Sequence, residues 1–212
     1  MTDEYLQDLI IRFALNNPGI NGSSLTEEDI KSILLKEYIP RPMYWNEVLE
    51  VLRHRDVMLY IISHCDNDIN EEDILTINRM ILLSTDEENL CLENDDLKKW
   101  AKELSYRLKI NYEKERKVFV IIDEHLKFEQ LRPFPDGNGR TARALIIWSC
   151  LQQKLTPIVI EKEQRNEYIN ALKNKDVQDL YRLAEKNQRK ENEREKILND
   201  ENKKEHVLEK TM

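Results

Sequence analysis

Residues 128–143 read Phe-Glu-Gln-Leu-Arg-Pro-Phe-Pro-Asp-Gly-Asn-Gly-Arg-Thr-Ala-Arg, and this run decides how the rest of the chain is read. It joins two segments of helical character. Upstream, Val118, Ile121, Ile122, His125, Phe128 and Arg132 recur at helical spacing over residues 117–132. Downstream, residues 139–153 are apolar almost all round after their first turn, the pattern of a central buried helix. Between them, Pro133 and Pro135 impose an extended turn. Asp136-Gly137-Asn138-Gly139 then opens the second helix, and its glycines let backbone approach a ligand without Cβ interference. Backbone N–H groups at a helix N-terminus, aided by the helix dipole, make an anion-binding nest. Arg140 and Arg143 lie one turn apart and can reach the same anion, and guanidinium forks suit phosphate oxygens. An Asp beside such a nest, here Asp136, is a usual Mg²⁺ ligand. Taken alone, the run predicts a Mg–polyphosphate site; the plainer alternative is a Gly-rich turn with solvent-facing arginines.

Two other templates fit parts of the chain and fail on their requirements. Gly137-x-Gly139-x-x-Ala142 matches the dinucleotide fingerprint, with Glu161 about 20 residues on. That fingerprint needs a buried strand running into its first glycine, and two prolines cannot sit in a central strand. Asp66-Asn-Asp68-Ile-Asn70 opens like a calcium loop, but Glu71 stands at the glycine position and Ile77 at the terminal glutamate position.

Helical periodicity dominates elsewhere. Residues 4–15 form an amphipathic pattern that Asn16-Asn17-Pro18-Gly19 is expected to stop. Thr26 with Asp29 gives a capping box for a helix over 27–36. Further helices are expected over about 43–63, from Asn70 to about Leu83, over about 95–108, and as one or two pieces within 163–184. Residues 84–94 have turn chemistry around a short alternating stretch, which allows a small β-hairpin. Pro157-Ile-Val-Ile is a short extended piece. From 185 to 212, sixteen of 28 residues are charged, eight of each sign, so this segment reads as a solvated helix or frayed tail. The expected organisation is an N-terminal helical segment (1–63) packed on a core (64–184), followed by that tail (185–212).

Composition narrows the function classes. The net charge of −8 argues against a general nucleic-acid binder, which needs clustered Lys and Arg. No apolar run approaches the roughly 18 residues of a membrane span, and the N-terminus lacks the basic and apolar regions of a secretory signal. Cys65, Cys91 and Cys150 are odd in number and widely spaced, as expected of reduced thiols in a cytoplasmic protein.

Residues 132–143 resemble the signature of the Fic (Fido) family, His-x-Phe-x-Asp/Glu-Gly-Asn-Gly-Arg-x-x-Arg, at every fixed position except the first, where Arg132 replaces the histidine. His125-x-x-Phe128-Glu129-x-Leu131 upstream and Arg165-x-x-Tyr168-x-x-Ala171-Leu172 downstream extend the likeness over roughly 70–184. The resemblance implies an all-α Fic fold with a small β-hairpin flap at 84–94. It also implies ATP and Mg²⁺ as cofactors and a protein target whose hydroxyl accepts AMP. By position, Asp136 would hold the metal and Asn138, Arg140 and the nest at Gly137 and Gly139 would hold phosphates. Arg143 would grip the terminal phosphate, and Phe134 and Tyr168 would complete the nucleotide site. The family's histidine is the base that deprotonates the target hydroxyl. Arginine stays protonated across the neutral range, so Arg132 cannot take that role. Loss of a general base costs roughly 10²–10⁴-fold in rate. Two functions are compatible with these residues: a nucleotidyltransferase with impaired transfer, or a non-catalytic nucleotide-binding regulatory module.

His125, two turns before Arg132, reads as a packed core histidine, and His54 and His64 have no motif around them. Many relatives carry an inhibitory helix, Ser/Thr-x-x-x-Glu-Gly/Asn, whose Glu pairs with the last motif arginine. Asn17-Pro-Gly-Ile-Asn21-Gly22 resembles it by context, with Asn21 at the Glu position. A neutral amide cannot form the ion pair, and an ordinary interhelical turn explains these residues equally well. Asn187-x-x-x-Glu191-Asn192 matches the same pattern loosely.

Overall fold

A computed structural model describes residues 1–82 and 95–209, the last nine of these by their backbone alone. The described residues fold into nine α-helices, one 3₁₀ turn and no β-strand. The helices are α1 (Asp3–Gly19), α2 (Glu27–Leu35), α3 (Trp45–His64), α4 (Glu71–Leu82), α5 (Asp95–Lys109), α6 (Lys114–Leu131), α7 (Asn138–Gln152), α8 (Arg165–Asn174) and α9 (Val177–Glu209). The hairpin expected at 84–94 lies outside the described residues. The rest is the all-α architecture that the periodicity predicts.

α7 is the axis. Ala142 through Leu151 are all buried, and Trp148 is fully enclosed. A helix without a polar face needs neighbours on every side, and α6, α4, α3 and α1 pack around this one. The Tyr60 ring meets Trp148 edge-on at 5.8 Å, and Trp100 meets Phe128 edge-on at 4.8 Å. α1 serves two clusters at once. Tyr5, Leu9 and Phe13 join the main core, whereas Ile11 and Ala14 join a smaller one with Leu25, Ile30, Ile33, Val48 and Val51.

The caps follow the local chemistry. Thr26 and Asp29 form the predicted box, with bonds of 3.2 and 2.9 Å, and Asn70 and Asp73 form the equivalent pair at α4. One expectation fails. Pro18-Gly19 does not stop α1, which continues to Gly19. Proline forfeits only its own N–H bond near a helix end. The chain then wraps over the terminus through Ile20 N–H to Asn16 O, Asn21 N–H to Pro18 O and Gly22 N–H to Gly19 O. Gly22, at φ +104°, supplies the positive φ that ends the turn.

The charged segment from 185 continues α9 as one helix. Its inner face is not solvated: Asn187, Gln188 and Glu191 are buried. Asn187 exchanges amide bonds with Gln164, and Glu191 is paired with Arg12 and bonded by the Tyr5 hydroxyl at 2.9 Å. The loose match at Asn187, Glu191 and Asn192 is therefore explained by packing of α9 on α1 and on residues 156–164.

Candidate functional site

The turn between α6 and α7 is held in shape by its own polar side chains. Arg132 ends α6 in the left-handed conformation (φ 46°, ψ 59°), its N–H bonded to Phe128 O at 3.1 Å. A non-glycine residue in that region costs roughly 1–2 kcal/mol. Its side chain is exposed. Phe134 turns inward and is buried. The Asn138 amide then staples the loop: its Oδ1 accepts from Phe134 N–H at 2.9 Å and its Nδ2 donates to Phe134 O at 2.7 Å. Each end of that buried amide carries one bond, so Asn138 shapes the loop.

The two glycines serve different ends. Gly137 caps α7 at φ 78°, and a Cβ there would stand 2.7 Å from Asn78 Nδ2. Asn78, on α4, donates to Asp136 O and Thr141 Oγ1, both at 3.1 Å. It anchors the nest to a helix some sixty residues earlier, and no motif points to it. At Gly139 a Cβ would sit 3.1 Å from Arg143 Nη1 and 3.2 Å from Glu129 Oε1. The space kept free there is filled by the protein's own ionic groups.

Neither motif arginine is solvent-facing. Arg143 is buried and lies over the Tyr168 ring at 5.7 Å. Its Nε donates to Asn17 Oδ1, and Nη2 donates to Asn17 O and Asn21 Oδ1, all at 2.8 Å. The residues that resemble the inhibitory segment thus reach the last motif arginine. They do so with neutral oxygens, by hydrogen bonds and not by an ion pair. Asn17 Nδ2 also donates to Arg140 O at 3.2 Å. Arg165 Nε holds Ile20 O at 2.7 Å and Lys162 Nζ holds Leu25 O at 3.1 Å, so three cations clamp the α1–α2 connection by its carbonyls. Cations at a helix C-terminus also complement its dipole.

Arg140 is less well served. Its Nη2 lies 3.2 Å from Asp136 Oδ2, its Nη1 3.8 Å from Glu50 Oε1 on α3, and its Nε is buried without a partner. Asp136 is 74% exposed, and its other oxygen accepts Gly137 N–H at 2.6 Å. The site thus offers a metal one accessible carboxylate. That fits Mg²⁺, which keeps most of its waters and is held by one or two carboxylates plus ligand phosphates. No group of three or more potential ligand residues occurs among the described residues.

Behind the arginines lie two buried histidines. His125 Nε2 is 2.9 Å from Tyr168 Oη, which donates to Glu129 Oε1 at 3.0 Å. Burial pushes His125 down to about 4, with Glu129 opposing and Arg143 assisting. Burial likewise raises the Tyr168 phenol, helped by the Glu129 charge. His125 is the packed core histidine that its position predicts. His54 is fully buried, tilted against Phe13 at 5.5 Å. Its Nδ1 is 2.7 Å from the Glu50 carbonyl, which only accepts, so Nδ1 carries the proton and Nε2 the lone pair. Burial pushes His54 down to about 4, against that hydrogen bond and with help from the charges of Arg140 and Arg143. The structure therefore brings together Arg132, Phe134, Asp136, Gly137, Asn138, Gly139, Arg140, Arg143 and Tyr168. It adds Asn17, Asn21, Glu50, His54, Asn78 and Glu129.

Known proteins share this fold. Residues 68–150 match the model of the Fic/DOC family. Over 49 residues the chain is 43% identical to the protein adenylyltransferase Fic of Drosophila yakuba and 41% identical to that of Drosophila melanogaster. Those alignments span 23% of this chain and 10% of the relatives, so the similarity reaches about a tenth of their length. Among solved structures, Fic-1 from C. elegans superposes with a TM-score of 0.73 at 20% identity, covering 87% of this chain and 61% of that one. A Fic domain containing signaling protein from Bacteroides thetaiotaomicron gives 0.67 at 19% identity, covering 82% and 74%. At such identities the likeness is one of fold.

Proposed function

We propose that this chain, whose residues 68–150 match the Fic/DOC family model, binds ATP at the α6–α7 turn with AMP transfer to a protein hydroxyl impaired. The observation that carries the reading is the contrast within one turn of chain. Gly137 opens α7 at positive φ, as an anion nest requires, while the position of the base holds an exposed arginine. In this reading the N–H groups opening α7 and the Arg140 guanidinium hold phosphates, and Arg143 takes the terminal one. Phe134, Asn138 and Asn78 keep the loop in shape, and Tyr168 supports Arg143 from behind. Asp136 would hold Mg²⁺, which bridges and neutralises phosphate oxygens when bound.

No side chain within the turn replaces the lost base. Arg132 holds its proton. His125 is neutral, but it is buried and bonded to Tyr168. Arg132 can attract a phosphate by charge, which favours binding over turnover. The alternative, a non-catalytic ATP-binding module with a protein partner, draws support from Arg143. Its Nε and Nη2 are already bonded to residues 17–21, so a terminal phosphate would compete with them there.

Labelled ATP with Mg²⁺, offered to the chain and to Arg132→His, tests the reading. We expect both to bind ATP and only Arg132→His to label itself or a protein acceptor. Labelling by the unmodified chain at a comparable rate would overturn impaired transfer. Failure of both to bind ATP would overturn the nucleotide site.

A further inference from the structure

α3 also borders the site and contributes charge of the wrong sign for a phosphate. Glu50 on α3 directs Oε1 at Arg140 Nη1 across 3.8 Å, beyond hydrogen-bonding range, so it acts through its charge. Both side chains are largely sheltered, Glu50 at 26% and Arg140 at 15% exposure, so water screens the contact less than at an open surface. The backbone that carries the carboxylate is held in place. The Glu50 carbonyl is bonded by His54, and His54 is enclosed against Phe13 of α1. α3 itself packs on α1, α4 and α7. Arg140 therefore stands between two carboxylates, exposed Asp136 on one side and sheltered Glu50 on the other, with its Nε unpaired. Arg143 meets no carboxylate hydrogen bond, only the oxygens of Asn17 and Asn21.

We propose that Glu50 is a specificity-determining residue of the phosphate site: a counter-anion that offsets Arg140 and lowers affinity in proportion to the negative charge a ligand brings there. This rests on the phosphate-site reading above. A ligand phosphate at Arg140 approaches the Glu50 charge as well, and the two repel. The Arg140 face thus discriminates against highly charged ligands. Burial already holds the Glu50 carboxyl above its ordinary range, against the Ser23 hydrogen bond and the Arg140 charge, as expected of an anion that its surroundings compensate only in part.

Calorimetric titration of the full chain tests this with ATP and Mg²⁺, inorganic triphosphate, and adenosine by competition. Glu50→Gln keeps shape and removes charge. It is expected to tighten ATP and triphosphate about three- to ten-fold and to leave adenosine unchanged. Glu50→Asp, which withdraws the charge by one methylene, is expected to fall between. Unchanged or weaker triphosphate binding by Glu50→Gln, at an unaltered thermal midpoint, would overturn the proposal. So would an equal gain for adenosine, since that gain is not electrostatic. Absence of triphosphate binding by the unmodified chain and both variants would instead sink the phosphate-site reading, and this inference with it.

Discussion

The two motif arginines, three residues apart on α7, are treated in opposite ways by the helices that face them. Arg143 meets the end of α1, which supplies three neutral oxygens at 2.8 Å, with the Glu129 carboxylate standing nearby across Gly139 but not bonded to it. Arg140 meets α3 and the loop, which supply carboxylates at 3.8 and 3.2 Å and leave Nε without a partner. One residue is satisfied in hydrogen bonds and the other in charge. Hydrogen-bond satisfaction fixes the resting geometry; charge compensation, under the proposal above, would tune which ligands enter. A buried neutral histidine stands behind each, His125 through Tyr168 and His54 beside Arg140.

Acid should act on both sides and gives the largest expected effect. The folded-state values of His54 and His125, each about 4, lie below the ordinary value near 6.5. As pH falls, the unfolded chain takes up protons first. Stability is full above about pH 6.5 and is lost as pH falls from there toward 4, by about 2 kcal/mol per histidine by pH 5. Urea unfolding at pH 7.5, 6 and 5 measures the drop, and His54→Asn should remove about half of it. A flat profile would show that the two sides are not built on neutral imidazoles.

Arg143→Ala breaks the α1 side next. It strands the oxygens of Asn17 and Asn21, and the expected cost is about 3 kcal/mol in denaturant unfolding. Arg143→Lys should recover only part, because one ammonium cannot reproduce the guanidinium fork. Loss below about 1 kcal/mol would mean that residues 17–21 hold their place without it.

Asn21→Glu makes the α1 side resemble the α3 side and carries the smallest effect. A carboxylate at that position can pair with Arg143, and ATP affinity should fall about ten-fold, by roughly 1.4 kcal/mol. Undiminished affinity in calorimetry would mean that the ligand does not use Arg143.

The sequence is legible where the physics is local. The Asp136–Gly139 turn, the capping boxes, the all-round apolar α7 and the packed His125 each rest on residues a few positions apart, and backbone chemistry over that range is decided nearby. Asn78, Glu50 and His54 are not legible, because each reaches the nest from another helix and sits in its own helix without a motif. The sequence leaves the role of Asn138 open for a related reason. An amide can serve a ligand or the loop, and only the 2.7 and 2.9 Å bonds to Phe134 decide between them. It misleads at the end of α1 because Pro18 and Gly19 weigh as helix breakers, while the bonds that carry the chain over the terminus come from Ile20, Asn21 and Gly22 beyond them.

The clamp on the α1–α2 connection has a consequence for timing. Arg143, Arg165 and Lys162 hold Asn17, Ile20 and Leu25 by their carbonyls within a span of nine residues, so the segment opens as a unit. If the ligand uses Arg143 as proposed, its phosphate competes with this segment for the guanidinium. The observed association rate should then level off at the opening rate as ligand concentration rises, and a stopped-flow trace would report the motion of residues 17–25 before it reports the ligand.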